Sequence, residues 1–195
     1  MRPPGDIQLV QIVDAALADA AIRSGDWLAC RPGCNQCCTG VFRISQLDVE
    51  RLQAGMHALD LSDPETVTNL RRRIHDAKAR LSPAFPGDTA TGLLFQDEVS
   101  QDAFEDFAND EVCPVLDPIS GTCTLYDYRP MTCRTFGPPF RTEDGDFGVC
   151  ELCFQGAPFE AIQQGELHLD VDDLLETLGC TTPPHQQTIV AFAFA

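Results

Sequence analysis

The amino-acid sequence predicts a mostly helical α+β fold in which cysteine-rich loops and one short β-hairpin accompany the helices. Apolar residues recur with the helical period in the first half of the chain, helix-start signals precede two of these segments, and two short β-forming runs flank a later turn. The chain has 195 residues, of which 44% are hydrophobic, and this suits one domain with an ordinary core. We therefore expect residues 1–195 to form a single domain.

Three helices are predicted in the first half. From residue 8 to about residue 23, apolar side chains recur every three or four positions. Ser45, with an aspartate three residues later, forms a weak capping box ahead of a second helix over residues 46–59. An Asp-Pro-Glu sequence begins a third helix over residues 63–81, because proline suits the first helical position and carboxylates favour a helix N-terminus. The three arginines at 71–73 are expected on its solvated face.

The second half is predicted to contain shorter elements. Residues 82–100 are rich in proline and glycine and indicate a connecting loop. Short strands at 112–116 and 122–126 flank a turn and form the hairpin. Short helices or helical turns are expected at residues 101–109, 129–136, 157–165 and 172–178, with a further short strand at 167–171. Most of the cysteines therefore fall on loops, turns and the hairpin.

The charge and the N-terminal sequence limit the classes of partner. A formal charge of −17 and a pI near 4.3 repel phosphate backbones and anionic lipids, so we expect neither a nucleic-acid nor a membrane partner. Aspartates interrupt the apolar residues near the N-terminus, so no signal peptide is predicted. No window reaches the roughly 18 apolar residues that a membrane span needs. We expect a cytoplasmic protein.

Ten cysteines are the strongest functional signal. In a reducing compartment, a domain of this size needs no disulfides, and clustered cysteines favour metal binding or redox catalysis. Pro32-Gly33 predicts a turn between two of them, and the spacing C-x-x-C-C at residues 34–38 and C-x-x-C at 150–153 predicts two knuckles that can wrap around a metal ion. The candidate metal ligands are Cys30, Cys34, Cys37, Cys38, Cys113, Cys123, Cys133, Cys150 and Cys153. Cys180 stands apart, and we expect it to be an ordinary buried thiol.

Basic residues collect around these thiols in an otherwise acidic chain. Residues 27–47 and 123–141 contain a single carboxylate, Asp127, and carry Arg31, Arg43, Arg129, Arg134 and Arg141. Guanidinium groups lower the pKa of nearby thiols and offset the charge of a thiolate site. Arg129 and Arg134 are candidates to donate hydrogen bonds to ligated sulfurs or to bind an anionic substrate; alternatively, each pairs with a local carboxylate. Tyr126 is expected to pack in the core of the hairpin.

The sequence leaves the metal and the number of sites open. Thiolates suit both zinc and iron-sulfur clusters, and of the two we prefer an iron-sulfur cluster. Nine candidate ligands exceed the need of one four-thiolate site. Either two such sites form, or one forms and the remaining cysteines are structural or redox-active.

The residues from Cys113 to Phe136, following Cys34-x-x-Cys37-Cys38, resemble the CxxCxxCC or YkgJ-like family of zinc- or iron-chelating proteins. The family pattern is a CxxCxxCC box, a Cys-Pro pair and C-x-x-Y-x-x-R-P-x-x-C-R, and residues 123–134 carry the last element in full. The resemblance runs from about Cys30 to Cys153. It departs from the pattern at Cys30, because three residues lie between Cys30 and Cys34 where the family box has two.

The resemblance implies iron or zinc binding. Its members are often described as iron-sulfur oxidoreductases and include proteins labelled flagellin lysine methylases. Our first hypothesis is a thiolate metal-binding protein that serves as a redox or metal-handling component. If it is an enzyme, we expect an iron-sulfur oxidoreductase. The alternatives are an interaction module with structural zinc and a flagellin-lysine-methylase-like enzyme. The chain lacks a glycine-rich nucleotide loop and has one lysine, Lys78, which disfavours the methylase. A metal ion is the partner that the sequence predicts.

Overall fold

The computed structural model describes residues 4–31, 33–142, 145–183 and 185–194. Pro32 of the predicted turn and the ends of the predicted 1–195 domain lie outside these residues. The internal contacts divide the chain into two compact units: the first unit comprises residues 37–131 and 182–195, and the second comprises residues 3–36 and 132–181. This division does not test whether the chain folds as a single domain, which stays a prediction.

The described residues form seven α-helices and two small sheets, as the mostly helical α+β prediction requires. The helices are α1 (Pro4–Ser24), α2 (Gln46–Ser62), α3 (Pro64–Leu81), α4 (Glu98–Glu105), α5 (Met131–Thr135), α6 (Phe159–Gly165) and α7 (Val171–Thr177). The antiparallel strand pairs are β1 (Gly87–Asp88) with β2 (Leu93–Leu94), and β3 (Phe140–Arg141) with β4 (Phe147–Gly148). None of the helices in these ranges is long and apolar enough to span a bilayer.

Side-chain caps set the starts of α2 and α3, as predicted. The Ser45 hydroxyl accepts a hydrogen bond from the Asp48 N–H while the Asp48 carboxylate accepts one from the Ser45 N–H, which completes the capping box. The Asp63 carboxylate accepts from the Thr66 N–H at 3.1 Å and caps α3. Asp48 also accepts from the Met131 N–H at 2.9 Å and pairs with the buried Arg51. This one carboxylate therefore joins α2 to the segment that enters α5.

The core of the first unit forms between α2, α3 and the C-terminal residues. α3 buries one face at helical spacing: Val67, Leu70, Ile74, Ala77 and Leu81. Val190, Ala191 and Phe192 are also buried there, so the apolar C-terminal run is a core segment. Burial of each large side chain contributes about 1.5–3 kcal/mol.

The predicted hairpin at 112–126 is reduced to a tight turn with a single bridge. Leu116 and Cys123 form the bridge, and the Thr124 N–H donates to the Val115 carbonyl at 2.9 Å. Pro114 and Pro118 lack the N–H that a ladder requires, which explains why no longer strand forms. The regular strand pairs lie instead at 87–94 and 140–148, and residues 167–171 do not form a strand.

The second unit is built on α1, which packs against α6. α1 begins four residues earlier than predicted and buries Leu9, Val13 and Ala20 on one face. Near its end, Arg23 Nε donates to the Gln164 carbonyl at 2.8 Å. The same unit contains β3, β4 and α7, with α6 and α7 close to their predicted positions.

Candidate metal centre

All ten cysteines carry thiols rather than disulfides, and the two units divide them. The first unit contains Cys37, Cys38, Cys113 and Cys123, which we call the first thiol group. The second unit contains the other six, and four of these interact with one another: Cys30, Cys34, Cys150 and Cys153, which we call the second thiol group. Each of the two four-thiolate sites in the first alternative from the sequence thus has four cysteines available, and the number of sites stays a prediction.

Backbone pairing brings the first thiol group together. Cys37 and Cys38 lie on a 3₁₀ turn over Gln36–Cys38, and their side chains are hydrogen-bonded to each other. The Cys113 N–H donates to the Cys38 carbonyl at 2.8 Å, beside an antiparallel bridge between Thr39 and Val112. The knuckle and the Cys-Pro segment thus run side by side although they are far apart in sequence.

Backbone amides face the sulfurs of the first thiol group. The N–H groups of Val115 and Leu116 face Cys113, and the N–H of Leu125 faces Cys123. An N–H directed at sulfur stabilises the thiolate and is the kind of contact that orients and tunes a ligated cysteine. The turn geometry therefore suits thiolate ligands.

The surroundings of the first thiol group lower the pKa of one thiol and raise the pKa of the others. The hydrogen bond from the Cys38 thiol, with help from the Arg129 guanidinium, lowers the pKa of Cys37 to about 6, and the same hydrogen bond raises the pKa of Cys38. Burial raises the pKa of Cys113 to about 11 and also raises the pKa of Cys123. The group therefore combines one thiolate with protonated thiols at neutral pH.

Arg129 is the nearby cation that the sequence predicted. It is buried, its Nη1 donates to the Tyr126 carbonyl at 2.9 Å, and its guanidinium lies 3.9 Å from the centre of the Tyr126 ring. Its charge lowers the pKa of Cys37 and opposes the rise at Cys123. Tyr126 itself is 58% exposed, so the prediction that it packs in a core is wrong; with no full hairpin to bury it, the ring covers the arginine instead.

Arg73 supports the same segment and was missed. It was expected on a solvated face, but its Nε donates to the Pro114 carbonyl at 3.0 Å and its Nη2 donates to Thr124 Oγ1 at 3.1 Å. These two residues directly follow Cys113 and Cys123 in the sequence. Its position three residues after the buried Leu70 was the signal, because that spacing places it beside the buried face of α3.

The second thiol group is centred on Cys30. Its sulfur lies 3.9 Å from that of Cys153. Desolvation raises the pKa of Cys30 to about 12, and the charges of Cys153, Cys34 and Cys150 act in the same direction. The Cys153 N–H donates to the Cys150 carbonyl at 2.8 Å, which closes the predicted C-x-x-C knuckle into a turn. Cys30, which departs from the family spacing, thus sits among three other cysteines.

The remaining candidates have other surroundings. Cys133 lies half-buried on α5. Arg134, almost fully buried, donates from Nη1 to both Asp14 oxygens at 2.6 and 2.8 Å, which is the contact with a carboxylate that was the alternative for this residue. Cys180 is buried as predicted, and its thiol donates to the Leu178 carbonyl at 3.5 Å.

The family model described as "CxxCxxCC: putative zinc- or iron-chelating domain" matches residues 29–153. The chain belongs to this family. The match spans nearly two thirds of the chain, includes every cysteine of both thiol groups and Cys133, and confirms the resemblance that the motif predicted. No match was found among curated proteins or solved structures.

Membership of the CxxCxxCC family supports zinc or iron binding by the cysteine cluster. The donors fit these metals, because both bind soft thiolates. Over the part of the chain that the structure describes, no three His, Cys, Asp or Glu side chains converge closely enough to enclose an ion.

Proposed function

We propose that this CxxCxxCC-family protein holds an iron-sulfur cluster on Cys37, Cys38, Cys113 and Cys123 and works as a redox component in the cytoplasm. The adjacent pair Cys37–Cys38 carries the proposal. Their thiols contact each other, and a cluster, whose iron atoms are separate attachment points, can accept two adjacent cysteines more readily than a single ion can. An iron-sulfur cluster supplies one-electron transfer when bound.

The surroundings of the first thiol group suit this role. Arg129 would offset the negative charge of a four-thiolate cluster, and the amides facing Cys113 and Cys123 would stabilise the ligated sulfurs and tune their potential. Val112, directly before Cys113, and Tyr126, three residues after Cys123, are both more than half exposed, so the group adjoins the protein surface. The thiols are half-buried, so electrons would have a short path to a docked partner.

The cysteine content is compatible with the proposed compartment. A chain of this size needs no disulfides for stability, and cysteines clustered at short spacing suit a reducing environment. The cytosol maintains such thiols reduced.

A second candidate is an interaction module with structural zinc. Val112, Ile119 and Tyr126 are exposed apolar side chains on the segment that carries Cys113 and Cys123, and such residues favour a protein contact. A closed four-thiolate zinc site would fix this segment without redox chemistry.

Anaerobic purification of the full chain distinguishes the two. The proposal predicts a brown protein that contains iron and acid-labile sulfide and whose visible absorption bleaches on reduction. Cys37→Ser and Cys123→Ser should lose the colour, whereas Cys180→Ser, a buried cysteine outside both groups, should retain it. A colourless protein with stoichiometric zinc and no iron, after expression with both metals, contradicts the iron-sulfur proposal and supports the zinc module.

A further inference from the structure

The first unit contains a cavity of about 400 Å³, within the range of small-molecule sites. Residues of α2, α3, the β1–β2 hairpin and the C-terminal segment line it, and no cysteine is among the lining residues that the structure describes. We propose that this cavity binds a small organic monocarboxylate that carries hydroxyl or amino groups, and that Lys78 pairs with its carboxylate. The site shares no residue with either thiol group, so it is independent of the metal and redox roles.

Lys78, the only lysine of the chain, is the cation of the cavity. It lies half-buried on α3, and its Nζ is 5.2 Å from the centre of the Phe192 ring, whose face attracts a cation. Arg51 and Arg80, also in the first unit, each pair with a carboxylate. The Lys78 ammonium group has neither an ion pair nor a hydrogen bond with any residue that the structure describes. It is therefore available to an external anion.

The charge of the cavity differs from that of the chain as a whole. Aspartate and glutamate make up 30 of the 195 residues, but none of the described residues that line the cavity is acidic. A carboxylate ligand would therefore meet one cation there and no like charge in the wall. Because there is a single cation, a dianion such as phosphate would keep an unpaired negative charge in a chain of formal charge −17. A monocarboxylate matches the charge of the site.

Two glutamines of α2 supply hydrogen-bond acceptors to the lining. Gln46 Nε2 donates to the Gln186 carbonyl at 3.0 Å. Gln53 Nε2 donates to the Ala193 carbonyl, also at 3.0 Å. These bonds fix both amides against the C-terminal segment, and their oxygens accept no hydrogen bond from the residues that the structure describes. An amide oxygen accepts from a hydroxyl or ammonium group, so a carboxylate ligand that also carries such a group would be held at more than one point.

Apolar side chains complete the wall and hold it in place. Val49, Leu93 and Phe192 line the cavity, and Val49 and Phe192 are buried. The Phe192 ring stacks on Phe85 with the ring centres 4.2 Å apart, which fixes the surface beside Lys78. A wall that is ordered before binding reduces the entropy that binding costs. Apolar walls with a few polar groups are typical of small-molecule sites, and here they suit a short carbon chain.

The single lysine provides a specific reporter for the test. The full chain is reductively methylated with ¹³C-formaldehyde, which labels Lys78 Nζ and the N-terminal amine and preserves their positive charge. Lactate, glycerate and serine are the probes, and lactamide and inorganic phosphate are the comparisons. We expect at least one probe to move the Lys78 methyl resonance saturably without moving the N-terminal one, and lactamide to move neither. No movement with all three probes, equal movement of both resonances, or a tighter response to phosphate overturns the proposal.

Variants assign the binding to the cavity. Ala90 is an exposed residue of the lining, so Ala90→Phe should narrow the cavity without changing the charge and weaken the probe at least about tenfold. Arg72→Gln removes an exposed positive charge from the same helix as Lys78, outside the cavity, and should stay within about twofold of the wild type. Unchanged affinity in Ala90→Phe, or equal weakening in both variants, overturns the proposal.

The charge of Lys78 is tested separately, by saturation-transfer NMR on the probe. Lys78→Gln should weaken binding at least about tenfold, because the charged hydrogen bond to the carboxylate is lost, and Lys78→Arg should recover part of the affinity. Full retention of binding in Lys78→Gln overturns the proposal. The metal content of both variants should equal that of the wild type, so failure of the metal or redox proposal is distinguishable from failure of this one.

Discussion

The sulfur atoms of Cys30 and Cys153 lie 3.9 Å apart although the two residues are 123 positions apart in the sequence. Gly137, in a third segment, lies against the Cys30 sulfur. The pair is therefore held by three distant parts of the chain rather than by one local motif, and its integrity depends on the backbone as much as on the thiols.

Gly137→Ala should damage the second thiol group. The new methyl group would collide with the Cys30 sulfur, and the left-handed φ strains any residue other than glycine. We expect retention of the bound metal to fall at least tenfold, with a stability loss of about 1–3 kcal/mol. Competition with a chromophoric chelator and thermal unfolding measure the two effects.

Gly145→Ala provides the control for that substitution. Gly145 has φ +84°, and a Cβ atom added there would meet no other atom within 4 Å, so alanine adds backbone strain without touching a thiol. It should lower stability by about 1 kcal/mol and leave metal retention unchanged. Equal metal loss in both variants would show that the Cys30 contact is irrelevant.

Cys38→Ala should raise the pKa of Cys37 in the metal-free protein. The hydrogen bond from the Cys38 thiol is the largest cause of the lowered pKa, and the Arg129 charge is a smaller one. In the wild type, the alkylation rate of Cys37 should rise as the pH increases through about 6, because the thiolate is the nucleophile. The midpoint should move upward in Cys38→Ala and by less in Arg129→Met. Peptide-resolved alkylation measures it; an unmoved midpoint in Cys38→Ala refutes this account, and Cys180→Ala serves as control.

Arg73→Met should destabilise the segment that carries Cys113 and Cys123. The substitution removes the hydrogen bonds to the Pro114 carbonyl and the Thr124 hydroxyl, and a partly buried carbonyl loses its donor. We expect a loss of about 1–3 kcal/mol in the free energy of unfolding, measured with urea. Arg72→Met is the control, because the exposed Arg72 contacts Asn69 on its own helix, and it should cost less than about 0.5 kcal/mol. Similar losses in the two variants would support the earlier interpretation that Arg73 lies on the solvated face of the helix.

Asp48→Ala should be more harmful than Asp63→Ala, although both aspartates cap a helix. Asp63 is exposed and its cap contributes about 0.5–2 kcal/mol. Asp48 is buried, pairs with the buried Arg51 and accepts from the Met131 N–H, so its loss should cost about 3–5 kcal/mol. Urea unfolding of the two variants measures the losses in the free energy of unfolding. Equal losses would indicate that Asp48 acts only as a helix cap.

Local signals predicted the helices well because caps and periodicity act within a few residues. Ser45 and Asp63 start α2 and α3 where the sequence placed them. The prediction of a full hairpin was wrong because its prolines lack the backbone N–H groups that pair two strands. The β-forming side chains in the same segment had nevertheless indicated strands. The Leu116–Cys123 bridge is what remains of it.

The sequence was sufficient to predict metal binding by cysteines, but it could not predict how the cysteines divide into two thiol groups. Cysteine type and spacing suffice to indicate metal binding, and the position of Arg129 near thiols followed from the charge pattern. Spacing cannot show that Cys34 and Cys37, two residues of one motif, belong to different groups. Only long-range contacts determine which thiols meet, and these depend on the packing of the whole chain.

The metal content of the anaerobically purified full chain tests the central claim, thiolate metal binding, most directly. We predict stoichiometric zinc or iron that is lost, in whole or in part, when Cys123 or Cys153 is changed to serine and retained in Cys180→Ser. A folded chain that contains neither metal, and that takes up neither when zinc or iron is added under reducing conditions, would contradict the account.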